Sequence, residues 1–165
     1  MWTQNNMNSE PLGSGNSTQQ KSLTNLPVPT ALNWHCEAVC NYDCTFCYAP
    51  FEDQRKRSRL TSEEGCKVIE NLAITGIQKI NFVGGEPMLH PHIQDWIRYS
   101  KKVGMTTSIV SNGTRMDGQF LSDMVGHLDW LGLSIDASTD ELHALMGRGL
   151  KGEIRQGHSD HLNRT

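Results

Sequence analysis

The chain has 165 residues, a formal charge of −3 and 20% charged residues, which bounds it to one small globular domain or part of one, long enough to bury a core. That balance, with no basic tail, does not describe a nucleic-acid surface; the longest apolar runs are too short to span a bilayer, and the N-terminus lacks the apolar segment of a signal peptide. Five cysteines, three of them clustered, read as metal binding in a reducing, cytoplasmic compartment rather than as a disulfide framework.

Met1 to about Pro29 is rich in Asn, Gln, Ser, Thr and Gly. Such a segment cannot bury enough apolar surface to order itself, and Met7, Leu12 and Leu23 form no stripe that would lie on a membrane. Residues 1–29 are therefore expected to be a disordered polar leader on a soluble protein. From about Thr30 strands and helices alternate. Ala31–Cys36 reads as a strand, followed by a loop to about Arg59. Thr61 and Glu64 fit the N-cap and third position of a helix, a capping box. Val68, Ile69 and Leu72 carry the apolar stripe of that helix, and Gly76 stops it. Cys66 falls on it as a small buried side chain. Lys79–Val83 is a second strand. Pro91 is expected at the first position of a second helix, running through Ile93, Trp96 and Ile97 to a stop at Gly104. Thr106–Ser111 is a third strand, ended by Asn112-Gly113. A short helix covers about Gly118 to Val125, Trp130–Asp136 is a fourth strand, and Thr139–Met146 a fourth helix. This order predicts an α/β fold of about four βα units with a parallel sheet.

Alternation along the strands separates two faces. Leu32 and Trp34 oppose Asn33 and His35; Ile80 and Phe82 oppose Lys79 and Asn81; Leu133 and Ile135 oppose Ser134 and Asp136. The apolar faces would pack on the helices. Polar side chains are costly in a packed core unless hydrogen-bonded or wet, so the polar faces predict an open, ligand-filled lumen. A lysine pointing into it is rare as mere structure and suits a phosphate.

Two motifs carry chemistry. Cys40, Cys44 and Cys47 form a C-x3-C-x2-C loop with Phe46 just before the last cysteine. Cysteine thiolates hold iron–sulfur clusters, normally four for a [4Fe–4S] cluster. A loop of three leaves one iron open to a small molecule. Structural zinc is the alternative, with His35 or Cys36 as a fourth ligand. The second motif is Gly84-Gly85-Glu86-Pro87, which ends the strand Lys79–Val83. Glycine lets backbone approach a ligand closely, and Glu86 with the local carbonyls would accept from an ammonium group; alone, the same four residues make a tight turn. Arg55-Lys56-Arg57, with Arg59 nearby, reads as a solvated loop, or as a docking point for a reductase or for phosphates.

Together these motifs resemble the radical S-adenosylmethionine (SAM) superfamily, with Cys40, Cys44 and Cys47 at the cluster ligands and Gly84 to Pro87 at the element that holds the SAM amino group. A closer resemblance is to the viperin family. It is carried by Asn33-Trp34-His35, Lys79-Ile80-Asn81-Phe82, Ser108 to Gly113, Leu133-Ser134-Ile135-Asp136 and Met146-Gly147-Arg148-Gly149, in register and nearly without gaps from about Ala31 to about Gly152. The resemblance implies a partial TIM-like radical SAM barrel, with residues 30–152 as the N-terminal part of the core. It implies a [4Fe–4S] cluster and SAM as cofactors. Tyr48 would lie near the adenine, where an aromatic equally serves packing, with Phe46 on the other side of Cys47. Ser134, Arg148 and Asn112 would join the SAM site, Arg148 meeting the carboxylate in bidentate fashion. Asn33 and Lys79 would contact a nucleoside triphosphate.

The implied reaction is that of a radical SAM lyase. A reduced cluster, fed by a flavodoxin- or ferredoxin-type donor, splits SAM into methionine and a 5′-deoxyadenosyl radical that takes the C4′ hydrogen of CTP, GTP or UTP. Water then leaves from C3′, and a further reduction gives a 3′-deoxy-3′,4′-didehydro nucleotide that terminates viral RNA synthesis. No catalytic side chain is implied, because the cofactor carries the chemistry; neither nucleic acid nor membrane is an expected partner. The sequence departs from the family at Tyr48-Ala49-Pro50, which looks more like radical SAM enzymes in general, and at Val83, where vertebrate members have serine. It also stops at Thr165 after four βα units, so residues 153–165 are expected to be the truncated end of a core and the chain a fragment or truncated product. Two other readings stay open: a different radical SAM enzyme, such as a peptide-modifying one, and a non-catalytic cluster- or zinc-binding fragment.

Overall fold

The computed structural model describes residues 27–49 and 58–148. The leader expected over residues 1–29 (Pro27–Pro29 excepted), the basic run Arg55-Lys56-Arg57, Pro50, Gly149 and the end at 153–165 lie outside the described residues. The elements follow in the order β1 (Ala31–Glu37), α1 (Ser62–Ile74), β2 (Lys79–Gly84), α2 (Ile93–Lys102), β3 (Thr106–Ser111), α3 (Gly118–Asp123), β4 (Trp130–Leu133) and α4 (Asp140–Leu145), with a 3-10 turn over Pro87–Leu89. The strands form one sheet in the order β1-β2-β3-β4, all parallel. This is an α/β fold of four βα units, the arrangement of a partial TIM-like barrel.

Register sorts the faces rung by rung. Trp34 pairs with Phe82, Phe82 with Ile109, and Ile109 with Leu131. This row looks onto the helices, and Ile80, Phe82, Ile109, Ile69, Trp96 and Ile97 are fully buried there. Cys36 and Cys66 pack against the same core. The neighbouring row is Asn33, Asn81, Ser108 and Trp130, on the opposite face. The core is keyed by Trp96. Its ring lies 4.9 Å from that of Trp34 and 4.2 Å from that of His90, and its Nε1–H donates to the Ser62 carbonyl at 3.1 Å. Truncating a buried aromatic of this kind costs about 3–5 kcal/mol.

The capping box at α1 forms as expected: the Glu64 N–H donates to Thr61 Oγ1 at 3.3 Å and the Thr61 N–H to Glu64 Oε2 at 2.8 Å. β1, β2 and α4 differ from expectation by one residue at one or both ends, and three other boundaries by two or more. α2 starts at Ile93 rather than Pro91, because the chain after Glu86 first winds through a 3-10 turn, Leu89 N–H to the Glu86 carbonyl and His90 N–H to the Pro87 carbonyl, each at 3.0 Å. α3 ends at Asp123. β4 ends at Leu133 rather than Asp136: β3 stops at Ser111, and the Ser134 N–H makes the last rung to the Ser111 carbonyl at 2.9 Å. Asp129 braces the other end of this pair, accepting from Lys101 Nζ at 2.6 Å and from the Thr107 N–H at 2.8 Å. Among the described residues no helix is long and apolar enough to cross a membrane.

Candidate active site

The C-terminal ends of β1, β2 and β3 meet at one rim of the sheet. The loop leaving β1 is laced to the turn leaving β2: the Gly85 N–H donates to the Glu37 carbonyl at 2.7 Å and the Glu86 N–H to the Val39 carbonyl at 2.8 Å. A Cβ on Gly84 would stand 2.3 Å from the Glu37 carbonyl oxygen, and one on Gly85 2.4 Å from that of Val39. Both positions are therefore glycine because main chain presses on main chain. The Glu86 carboxylate is turned into the protein. It accepts from the Ser111 hydroxyl at 2.7 Å, the Asn112 N–H at 2.8 Å and the Met88 N–H at 3.0 Å. Burial raises its pKa, and these donors together with the charge of Arg115 oppose the rise. In this arrangement Glu86 acts on the site by fixing the turn and the end of β3.

The cysteines of the loop lie near enough for Cys40 and Cys44 to feel the charge of their neighbours. Burial pushes the Cys40 thiol up to about 11, with the charges of Glu86 and Cys47 adding and the Asn112 amide and Arg148 opposing. Cys44 is raised first by burial, opposed by Arg148 and raised further by Cys40 and Cys47. The Tyr42 N–H points at Cys40 Sγ at 3.4 Å, and Asn112 Nδ2 lies 4.0 Å from the same sulfur. Asn112 also donates to Asn41 Oδ1 at 2.8 Å, and Asn41 to Thr114 Oγ1 at 2.8 Å, which ties the loop to the end of β3.

This donor set suits a cluster. Thiols that burial and neighbouring charge keep protonated, as at Cys40 and Cys44, become good ligands once bound iron compensates their charge. Among the described residues no group of three or more His, Cys, Asp or Glu could hold a single metal ion. A polynuclear cluster makes a different demand, since each thiolate meets its own iron. Cys36, a candidate fourth zinc ligand, turns the other way. Its Sγ–H donates to the Val83 carbonyl at 3.5 Å, and burial pushes its thiol up to about 12.

The far side of the loop rests on the turn after α4. The Asp43 N–H donates to the Gly147 carbonyl at 3.1 Å and the Thr45 N–H to the Met146 carbonyl at 3.0 Å. Arg148, 4% exposed, pairs with Asp136 and lies 5.6 Å from the ring centre of the buried Tyr42. Its Nε is buried with no hydrogen-bond partner among the described residues, a donor that could meet an anionic group. Tyr42 and the Asp136 pairing escaped the sequence reading: Tyr42 meets Arg148 from the cysteine loop, about a hundred residues away, and Asp136 meets it across α4. Phe46 and Tyr48 are 54% and 86% exposed, so neither is a core packing residue here. Ser134 follows β4 immediately, beside Ser111.

Asn33 and Lys79 are not brought to the cysteines. They line the open face of the sheet, in a cavity of about 340 Å³ with Ala31, Leu32, Asn81 and Ser108. Asn81 Nδ2 donates to Asn33 Oδ1 at 2.9 Å, and Lys79 Nζ lies 5.3 Å from the Trp130 ring centre. Lys79 opens β2 and Gly84 closes it, so the two are roughly 17 Å apart along the strand.

A three-thiol loop braced by a glycine-rich turn thus stands at the C-terminal rim of a parallel sheet. Residues 38–157 match the Radical SAM superfamily, and the chain belongs to that superfamily, whose cofactors are a [4Fe–4S] cluster and SAM. It is 36% identical over 138 residues to an S-adenosylmethionine-dependent nucleotide dehydratase of Lacinutrix mariniflava, covering 81% of this chain and 29% of that protein. It is 39% identical over 122 residues to a protein of the same name from Flammeovirga pacifica, covering 72% and 42%. The chain thus spans less than half the length of these relatives. In fold it is similar to the crystal structure of Streptococcus suis SuiB bound to S-adenosylmethionine, with a TM-score of 0.58 at 16% identity over 69% of this chain and 25% of that one.

Proposed function

We propose that residues 30–152 are the N-terminal part of a viperin-like radical SAM lyase that dehydrates a ribonucleoside triphosphate, CTP, GTP or UTP, in antiviral defence in the cytoplasm. The observation that carries this reading is the open face of the sheet. It joins a thiol-lined rim to a polar cavity that holds a lysine and two hydrogen-bonded asparagines, beside the identity to nucleotide dehydratases. Cys40, Cys44 and Cys47 would hold the [4Fe–4S] cluster. Gly84, Gly85, Glu86, Asn112, Ser134 and Arg148 would surround SAM, with Phe46 and Tyr48 beside it. When bound, cluster and SAM would supply the power to take an unactivated hydrogen atom, one electron being consumed in breaking a carbon–sulfur bond. The chain's own residues do the positioning. Arg148, held by Asp136 over Tyr42, presents its guanidinium to a carboxylate. Asn41 and Thr114 orient the Asn112 amide that approaches Cys40. Lys79 and Asn33 hold phosphate and sugar groups at the far end of the face. Electrons would come from a flavodoxin- or ferredoxin-type donor.

The test is anaerobic reconstitution of the full chain with iron and sulfide, then SAM, dithionite and each triphosphate in turn, with 5′-deoxyadenosine measured by mass spectrometry. Release stimulated by one triphosphate, with a product lighter by one water, is the expected result. A loaded chain that cleaves SAM with no dependence on any triphosphate would overturn the substrate assignment.

A further inference from the structure

The chain enters the cysteine loop at Glu37 and leaves it at Arg59, and these two residues meet. Glu37 ends β1 with its side chain 2% exposed. Strict alternation would put that carboxylate on the open face with Asn33 and His35. A shift in the β1–β2 register between His35 and Glu37 accompanies its burial, the kind of irregularity that re-aims a side chain. Each acceptor of Glu37 is then committed to the loop or its support. The backbone carbonyl takes the Gly85 N–H at 2.7 Å. Oε1 takes the N–H of Val39, the residue before Cys40, at 2.8 Å. Oε2 forms an ion pair with Nε of Arg59 at 2.7 Å, not aligned as a hydrogen bond. Behind it lies the buried ring of His90, which feels the Glu37 charge.

A carboxylate taken out of water is unfavourable unless paired and hydrogen-bonded. Here both requirements are met by groups from the two limbs of one loop. We infer that the Glu37–Arg59 ion pair is a positioning device for the cysteine loop: it fastens the outgoing limb to the incoming one and so holds Cys40, Cys44 and Cys47 in the arrangement that retains a cluster. The inference rests on the assignment of these three cysteines as cluster ligands. Arginine suits the task because its planar fork is pre-organised and stays charged. Glu37 and Arg59 act through the loop and are positioning residues.

The test compares Arg59→Gln, Arg59→Lys, Glu37→Gln and the double variant Glu37→Gln/Arg59→Gln, all in the full chain. Glutamine at position 37 keeps an acceptor for the Val39 N–H while removing the charge, and Arg59 is 46% exposed, so the Arg59 variants retain the fold. Two rates are measured: bleaching of the iron–sulfur absorbance by a ferrous chelator, and modification of the metal-free thiols by a disulfide reagent. Arg59→Gln and Glu37→Gln are each expected to bleach roughly 10-fold faster, the scale seen when a residue supporting a metal ligand is removed. Arg59→Lys is expected to fall between these and the wild type. The double variant should bleach no faster than the worse single one, metal-free thiols should react several-fold faster in all three charge-removed forms, and melting temperatures should move by only a few degrees. Bleaching and thiol rates that match the wild type in both single variants would overturn the inference. So would single effects that multiply in the double variant, or bleaching that merely tracks the melting temperature. Should the wild-type chain take up no cluster, the ligand assignment fails, and the metal-free thiol rates still decide whether the pair orders the loop.

Discussion

Gly147 adopts φ +71° where the turn after α4 carries the cysteine loop, and alanine at this position tests how that loop is held. A methyl group there would stand 2.1 Å from the Asp43 carbonyl oxygen and 3.0 Å from its carbon. Those atoms are main chain and cannot rotate away, so the loop must lift off. A left-handed backbone at a non-glycine residue costs about 1–2 kcal/mol. Losing the two loop-to-turn bonds, Asp43 to Gly147 and Thr45 to Met146, adds about 0.5–1.5 kcal/mol each. Gly147→Ala is therefore expected to destabilise by roughly 2–5 kcal/mol. Gly76 provides the control: it has φ +97° with nothing within 4 Å of an added Cβ. Gly76→Ala should incur only the conformational part, roughly 1–2 kcal/mol. Urea unfolding followed by tryptophan fluorescence gives both values, and thiol modification of the metal-free chain gives an independent readout. The excess loss should belong to Gly147→Ala alone, with Cys40, Cys44 and Cys47 more reactive. Equal midpoints for the two variants with unchanged thiol rates would refute the docking of the loop on this turn.

Serine at position 40, 44 or 47 should abolish the iron–sulfur absorbance after reconstitution. Serine at 36 or 66 should leave it intact, since both thiols pack against the core; loss of absorbance in Cys36→Ser at unchanged stability would make Cys36 a fourth cluster ligand. The Asp129 carboxyl lies below its usual range, first through the hydrogen bond from Lys101 and then through the Thr107 N–H. A carboxyl depressed in the fold contributes stability that is present above its ordinary value of 3.8 and lost as pH falls through the folded value. Asp129→Asn should thus cost roughly 1 kcal/mol at pH 7, and the gap to the wild type should close below about pH 4, as read by urea titrations across that range.

Local signals were the ones legible in the sequence. The capping box at Thr61 and Glu64 is complete within four residues, and the alternation in β1 and β2 names the faces without knowledge of any partner strand. The spacing of Cys40, Cys44 and Cys47 and the run Gly84 to Pro87 likewise identify themselves. Elsewhere the outcome depends on a distant neighbour. β4 ends early because β3 gives out at Ser111, which no property of Trp130–Asp136 announces. Pro91 is a good first helical residue, yet the turn capped by Glu86 postpones the helix to Ile93. Glu37 gave no signal, because its partners are Val39, Gly85 and Arg59, and only the register shift in β1 turns it inward. Lys79 and Asn33 were placed on the right face, but their distance from the cysteines follows from their position along the strands.

The cysteine loop is fastened largely through main chain: Asp43 and Thr45 by their N–H groups, and Val39 through both its N–H and its carbonyl. Supports of this kind do not read side chains. The positions between the cysteines at Asp43 and Thr45 can therefore accept different residues while the scaffold beneath them stays intact. The loop behaves as an exchangeable collar, in which charge and polarity around the sulfurs can be rewritten one residue at a time, by evolution or in the laboratory, without redesigning the sheet.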